Sequence, residues 1–385
     1  MKRIGIGAAT LTLLLSFCAL RRAHATVADD LCAPTDDPCV IATKVTVDPS
    51  STLDFGTRAL RILKSGVLTW STSLTLTAGN CDFQPQSKVA EAKTSPGTDF
   101  LWMNCSSSTL AGTIRTVGGG VLVEGPGPHL LSGVIRAVGD NVGVIAVDSA
   151  GLPGGITVSG KIVAKANKGT PPGEFRLISN FGDVLITDTA RISATGVTTE
   201  PNSLLWFEAG SGKLTIQGRV TAKASSGAYD LNLEGNGDVV LGPKSRISAP
   251  AKKVGAGIGI NSQGGRVGLQ GSIVAPVRQV QSGSGARVRV CASSDILIDG
   301  GAKIDASDGN SNGSIIVNGG GTTSVGTNLQ GAKVLAKTDG DIEICGATLP
   351  VVSTKSTIKP PPQELGTNEC LSANSQFIFF LDCNH

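Results

Sequence analysis

The most regular feature of the chain is an alternation of apolar and polar positions in short segments that recur between Gly154 and Ser307. Each repeat contains three such segments. The second segment of successive repeats is anchored by apolar residues 28, 30, 25, 28 and 29 positions apart: Val158, Ile186, Ile216, Leu241, Leu269 and Ile298. Because successive side chains of a β-strand point to opposite faces, one set is predicted to be buried and the other to face outward.

This spacing predicts an all-β fold, a parallel β-helix with three strands and about 25–30 residues per turn, in which successive coils stack ~4.8 Å apart. Equivalent residues then form ladders, and the ladder predicted at the third strand is β-branched throughout, as suits a buried pleated surface. It comprises Ile162, Ile192, Val220, Ile247, Ile273 and Ile304. The gap between the second and third strands alternates between four and six residues, so the duplicated unit spans two turns.

The two ends differ from the repeats. Residues 1–25 have the layout of a secretory signal peptide, with Lys2 and Arg3 before a short apolar run. We assign residues 26–110 to an N-terminal cap region, 111–350 to the parallel β-helix, and 351–385 to a Pro-rich linker and C-terminal cap. Caps are expected because the ends of a parallel helix offer unpaired backbone groups.

Eight cysteines remain once the signal peptide is removed, an even number that favours disulfides in an exported chain. We expect one pair between Cys32 and Cys39 and another between Cys81 and Cys105. Three pairings are open for the other four, which are Cys291, Cys345, Cys370 and Cys383. We expect Cys370 and Cys383, in the C-terminal cap, to form disulfides, with their partners left open. The alternative for Cys291 and Cys345 is that they stay reduced as small apolar residues in a ladder.

The segments Gly182–Thr187 and Arg191–Gly196 resemble the repeats of filamentous-haemagglutinin-type exported bacterial proteins. The likeness covers roughly residues 110–350 and implies a right-handed parallel β-helix in a bacterial exported or surface protein. Charge adds one exclusion. Without its first 25 residues the chain has 29 basic and 30 acidic residues, and it has no basic stripe with interleaved aromatics, so nucleic-acid binding is not expected. No transmembrane span is expected after signal removal.

Two groups of residues are candidates for carbohydrate chemistry. Asp295, Asp299 and Asp305 cluster within one predicted turn, and paired carboxylates are what glycoside hydrolysis needs. The alternative is a solvated acidic face. Trp206 is predicted to face outward beside Arg176 and Asn232 on adjacent turns, where its ring could stack on a sugar; the alternative is that a loop covers it. His129 follows a turn-rich stretch, which favours a surface position.

A third candidate is a metal site. Asp308, Asn310 and Asn312, followed by Gly313, match the first half of a calcium loop, but Gly319 stands where a bidentate Glu belongs. A polar turn between strands explains the same residues. We therefore expect no cofactor, with calcium as the alternative.

Together these features predict an exported, non-enzymatic β-helix protein that acts as a surface, matrix or adhesion module. Its partner would be a polysaccharide or a cell-surface component, and its location the periplasm, the cell surface or the medium. The alternative is a pectate-lyase-like carbohydrate-active enzyme, a polysaccharide lyase or glycoside hydrolase, working at the acidic turn or at Trp206.

Overall fold

The computed structural model describes residues 26–92, 99–139, 145–151, 154–166, 175–196, 203–224, 229–251, 255–276, 285–307, 313–327, 330–336, 340–362 and 364–367. Within them the only helix is a 3₁₀ turn, Ala28–Asp30, and nearly everything else is parallel β-structure. The strands wind around three faces of a solenoid, which confirms the predicted fold class. None of the helices in the described part of the chain is both long and apolar enough to span a membrane.

Each coil contributes one strand to each of three faces. The first face contains Thr52–Asp54, Gly120–Gly125, Ile145–Ser149, Phe175–Ser179, Ser203–Ala209, Tyr229–Gly235, Gly257–Ser262, Arg287–Ala292, Ser314–Gly319, Asp341–Gly346 and Glu364–Thr367. The second face contains Cys39–Ile41, Leu60–Ile62, His129–Leu131, Ile156–Val158, Val184–Ile186, Leu214–Ile216, Val239–Leu241, Val267–Leu269, Ile296–Ile298, Thr323–Val325 and Val351–Val352. Two longer strands, Leu74–Phe83 and Phe100–Leu110, cross both faces and join them into one 24-stranded sheet.

The third face is a separate 13-stranded sheet. It contains Lys44–Thr46, Val67–Trp70, Lys88–Glu91, Thr113–Val117, Val134–Gly139, Lys161–Ala166, Arg191–Gly196, Arg219–Ala224, Arg246–Ser248, Ser272–Val274, Lys303–Asp305, Lys333–Leu335 and Thr357–Lys359. Every strand in it pairs in parallel with the equivalent strand of the next coil.

The predicted ladder is present in register, and all six of its members are buried. It continues through Ile135 and Ile114 in one direction and Val334 in the other. One continuous apolar cluster fills the shaft. Each buried aliphatic side chain contributes about 1.5–3 kcal/mol before the entropy of ordering is subtracted, so the ladders, rather than any single contact, hold the coils together.

The parallel pairing extends beyond residues 111–350. It begins at Cys39–Ile41, which pairs with Leu60–Ile62, and reaches Glu364–Thr367, which pairs with Asp341–Gly346. Residues 39–110, expected to form a cap, are therefore themselves coils of the solenoid. Two of these coils contain the long strands Leu74–Phe83 and Phe100–Leu110, which pass from the first face to the second without the turn that separates the two faces in later coils.

The disulfides Cys32–Cys39 and Cys81–Cys105 are confirmed, with Cα separations of 5.6 and 5.9 Å. Cys291 and Cys345 are also disulfide-bonded, so the alternative that they stay reduced is wrong. Both pair in register with Asn318, which lies between them. Two strand spacings separate them by about 10 Å, beyond the ~7 Å limit for bridged Cα atoms. They therefore belong to two different disulfides.

Several predictions fall outside the described residues. These are the signal peptide of residues 1–25, the cap cysteines Cys370 and Cys383, and the calcium-loop residues Asp308, Asn310 and Asn312.

Candidate functional site

The acidic turn holds its three carboxylates apart. Asp295 and Asp299 flank the strand Ile296–Ile298, so their Cα atoms lie about 13 Å apart along it. Asp305 ends the next strand of the same coil, on the third face. An oxygen of Asp295 accepts a hydrogen bond from the Thr322 backbone N–H at 2.8 Å. Asp299 accepts one from the Gly300 N–H at 2.7 Å.

Asp305 is held in the same way. It pairs with the Lys303 ammonium at 2.6 Å and accepts hydrogen bonds from the backbone and side chain of Ser307. Burial acts to raise the pKa of Asp305, but the hydrogen bonds from Lys303 and Ser307 outweigh it, and the pKa is lowered. An anion stabilised in this way suits a structural role in the turn better than proton transfer.

Asp295 is also one member of a ladder along the edge of the second face. The residues that precede successive second-face strands alternate in charge: Asp183, Lys213, Asp238, Arg266 and Asp295. Each aspartate accepts a hydrogen bond from the backbone of the next coil, at 2.8 Å for Lys213, 3.0 Å for Arg266 and 2.8 Å for Thr322. Every second coil is thus tied to its neighbour, in step with the two-turn repeat.

The outward positions of the second face form a continuous row, here called the second-face row. Its members are in register from coil to coil: Leu130, Thr157, Leu185, Thr215, Val240, Gly268, Leu297, Ser324 and Val351. Aliphatic residues alternate with hydroxyl residues or glycine over eight strand spacings, about 38 Å. Leu130, Leu297 and Val351 are 39%, 43% and 61% exposed. The other members of the row are partly exposed, and the alternation is again two coils long.

The row is interrupted by a groove at Gly268, here called the Gly268 groove. Glycine leaves a gap between the outward side chains of Val240 and Leu297 on the neighbouring coils. The cavity at this position has a volume of about 470 Å³. Its polar lining comes from both edges of the face: Asp238, Arg266, Asp295 and Thr322 on one side and Gln270 on the other, with Ser324 from the coil beyond Leu297.

Trp206 lies on the first face, in register between Arg176 and Asn232. Its ring is only partly exposed, and its buried Nε1 has no hydrogen-bond partner. The Val197–Pro201 segment considered as its cover lies outside the described residues. Arg176 pairs with Asp148 at 3.4 Å. The three predicted sugar-binding residues are therefore adjacent, with the Trp206 ring partly exposed.

Two carboxylates that sequence reasoning overlooked lie beside Trp206. Glu208 and Glu234 are register partners on adjacent first-face strands. Burial, then the charge of Glu208, raise the pKa of Glu234 to about 7; the neighbouring Trp206 lowers it, though without a well-formed hydrogen bond. Burial also raises the pKa of Glu208. Only the pairing of coils brings these residues together, since 26 positions separate them in the chain.

A second overlooked feature is Trp102, which is 45% exposed on the first face. Its indole N–H donates a hydrogen bond to Glu124 at 2.9 Å, which fixes the orientation of the ring. His129, by contrast, is buried rather than at the surface. It points into the shaft, and its Nδ1 lies 2.9 Å from the Ser108 hydroxyl. A substrate has no access to a pair in that position.

Among the described residues, no group of three or more His, Cys, Asp or Glu side chains is placed to hold a metal ion. Comparison with known proteins gives no assignment either: no protein-family model matches the chain. No curated protein and no solved structure matches it significantly.

Proposed function

We propose that this chain is an exported, non-enzymatic β-solenoid that acts as a surface, matrix or adhesion module and contacts its partner through the second face. The second-face row carries this proposal: it is regular and outward-facing over nine coils, without a catalytic constellation along it. Exposed apolar surface rimmed by polar residues is typical of interaction sites. The pattern likeness of residues 110–350 to filamentous-haemagglutinin-type proteins supports the same class.

Location is tested by expressing the tagged precursor in a bacterial host and separating cytoplasm, periplasm, surface and medium. We expect the chain outside the cytoplasm, and deletion of residues 2–25 should retain it inside. A full-length precursor that stays in the cytoplasm would contradict the proposal.

The contact role is tested with purified protein and intact cells or isolated cell walls. Replacing Leu185 and Leu297 by Glu places charge in the second-face row without entering the shaft, so we expect association to fall at least tenfold. The control is Thr221→Glu, an outward position on the third face. Equal loss in both variants would argue against a role for the second face.

The second candidate is a carbohydrate-active enzyme, and the Glu208–Glu234 pair favours it. Retaining glycosidases place two carboxyl groups ~5–5.5 Å apart, a distance that side chains on adjacent strands can reach. A carboxyl group with a pKa of about 7 suits a general acid. Partial cover by neighbouring structure weighs against it, since Glu234 is only 7% exposed.

This alternative is tested by incubating the protein with neutral and acidic polysaccharides, with and without calcium, and measuring reducing ends and unsaturated products. Product that disappears in Glu234→Gln but persists in Asp299→Ala would establish the enzyme at this pair. Product that disappears instead in Asp299→Ala or Asp305→Ala would assign it to the acidic turn. We expect no product from any variant.

A further inference from the structure

We propose that the Gly268 groove is a binding site for a neutral oligosaccharide. The inference rests on the proposed function, because it gives a ligand class to part of the second face. Its first support is shape. The cavity of about 470 Å³ falls in the ~300–1,000 Å³ range usual for small-molecule sites. It lies where the second-face row has its only glycine, and the missing side chain opens the row at that point.

The second support is the combination of aliphatic ends and polar edges. The outward side chains of Val240 and Leu297 bound the groove at its two ends, two coils, or about 10 Å, apart. Such a surface suits the C–H face of a pyranose ring. The walls offer carboxylate acceptors from Asp238 and Asp295 and donors from Arg266, a mixture suited to a ligand with many hydroxyl groups.

The third support is charge, which selects among saccharides. The lining contains two carboxylates and one guanidinium, a net charge of −1, so an acidic polysaccharide would be repelled. Asp238 and Asp295 each have one oxygen occupied by a backbone N–H of the next coil. Those bonds hold the carboxylates in place while their second oxygens remain acceptors, which gives the site a preorganised polar edge.

A side chain can be placed in the groove without disturbing the fold. A Cβ built on Gly268 meets only the Val240 side chain, at 3.9 Å, which is an ordinary van der Waals contact. Valine also favours a strand. Gly268→Val should therefore fold and unfold at a temperature no lower than the wild type. The matched control is Thr157→Val, a change to the same residue in the same row but outside the groove.

The experiment is isothermal titration calorimetry of the full mature chain with cellohexaose, and with hexagalacturonate as the acidic probe. We expect the wild type and Thr157→Val to bind cellohexaose equally and hexagalacturonate at least tenfold more weakly. Gly268→Val should weaken cellohexaose binding at least tenfold. Arg266→Gln is a second variant that replaces the guanidinium and its five N–H donors by a shorter amide without filling the space, and it should weaken binding at least threefold.

Two results overturn the inference: cellohexaose does not bind the wild type, or it binds Gly268→Val and Arg266→Gln as tightly as the wild type. Tighter binding of hexagalacturonate would overturn the choice of a neutral ligand. These outcomes are separable from failure of the proposed function, which concerns export and cell association and is measured on cells. A chain that adheres to cells through the second face but ignores cellohexaose would keep the function and lose this site.

Discussion

Truncation of one rung of the third-face ladder should destabilise the solenoid far more than truncation of its outward neighbour. Ile247 is 0% exposed and is stacked between Val220 and Ile273. Ile247→Ala removes three carbons from a shaft that is packed on both sides, and such changes cost about 2–5 kcal/mol. Ser248→Ala, the next residue on the same strand, alters an outward, partly exposed side chain and should cost less than about 0.5 kcal/mol.

The assay is urea unfolding followed by far-UV circular dichroism, with limited proteolysis of the same samples. A long repeat array can unfold in parts, so the proteolytic pattern shows whether the coils around residue 247 open first. We expect a lower midpoint and early cleavage near this coil in Ile247→Ala alone. Equal midpoints for the two variants would refute the stacked-coil packing of this residue.

Three further predictions follow from the carboxylates and disulfides. Because the pKa of Glu234 is raised to about 7, its protonated form stabilises the fold below pH ~4.5 and that stabilisation is lost as pH rises through 7; Glu234→Gln should therefore gain stability over the wild type at pH 8 but not at pH 4.5, in thermal melts. Replacing both Cys81 and Cys105 by Ala should lower the free energy of unfolding by about 2–4 kcal/mol, measured in urea; an unchanged midpoint would argue against this bond. Non-reducing peptide mapping should find Cys291 and Cys345 in two separate cross-links, and a peptide joining them to each other would contradict their two-coil separation.

The residues of the shaft could be predicted from the sequence because their burial depends on alternation along each strand, which is a local pattern. A strand position that faces the shaft needs an aliphatic side chain, so the ladder from Ile162 to Ile304 is visible as a repeating pattern in the sequence. The first coils were harder to predict. Thr75, Thr77 and Asn80 lie on a strand that crosses two faces, and its length hides the three-segment period.

The contacts between outward side chains depend on which coils are adjacent and on the exact register of their strands. The alternation within one strand does not determine either. Glu208 and Glu234 become a pair only when strands 26 residues apart align. The groove at Gly268 arises because its neighbours in the row carry side chains and it does not. The hydrogen bond from Trp102 to Glu124 likewise crosses between coils. Alternation along the chain shows that these residues face outward but not which residues they meet.

The most direct test of the stacked solenoid is a set of distances along the third face. Arg115, Ser248 and Leu335 occupy the same outward column, with Ser248 five coils and Leu335 eight coils from Arg115. Spin labels at cysteines introduced in pairs can be measured by pulsed electron–electron double resonance. Stacking at ~4.8 Å per coil predicts about 24 Å for the Arg115–Ser248 pair and about 38 Å for the Arg115–Leu335 pair. Distances that do not grow with the number of coils would contradict the solenoid.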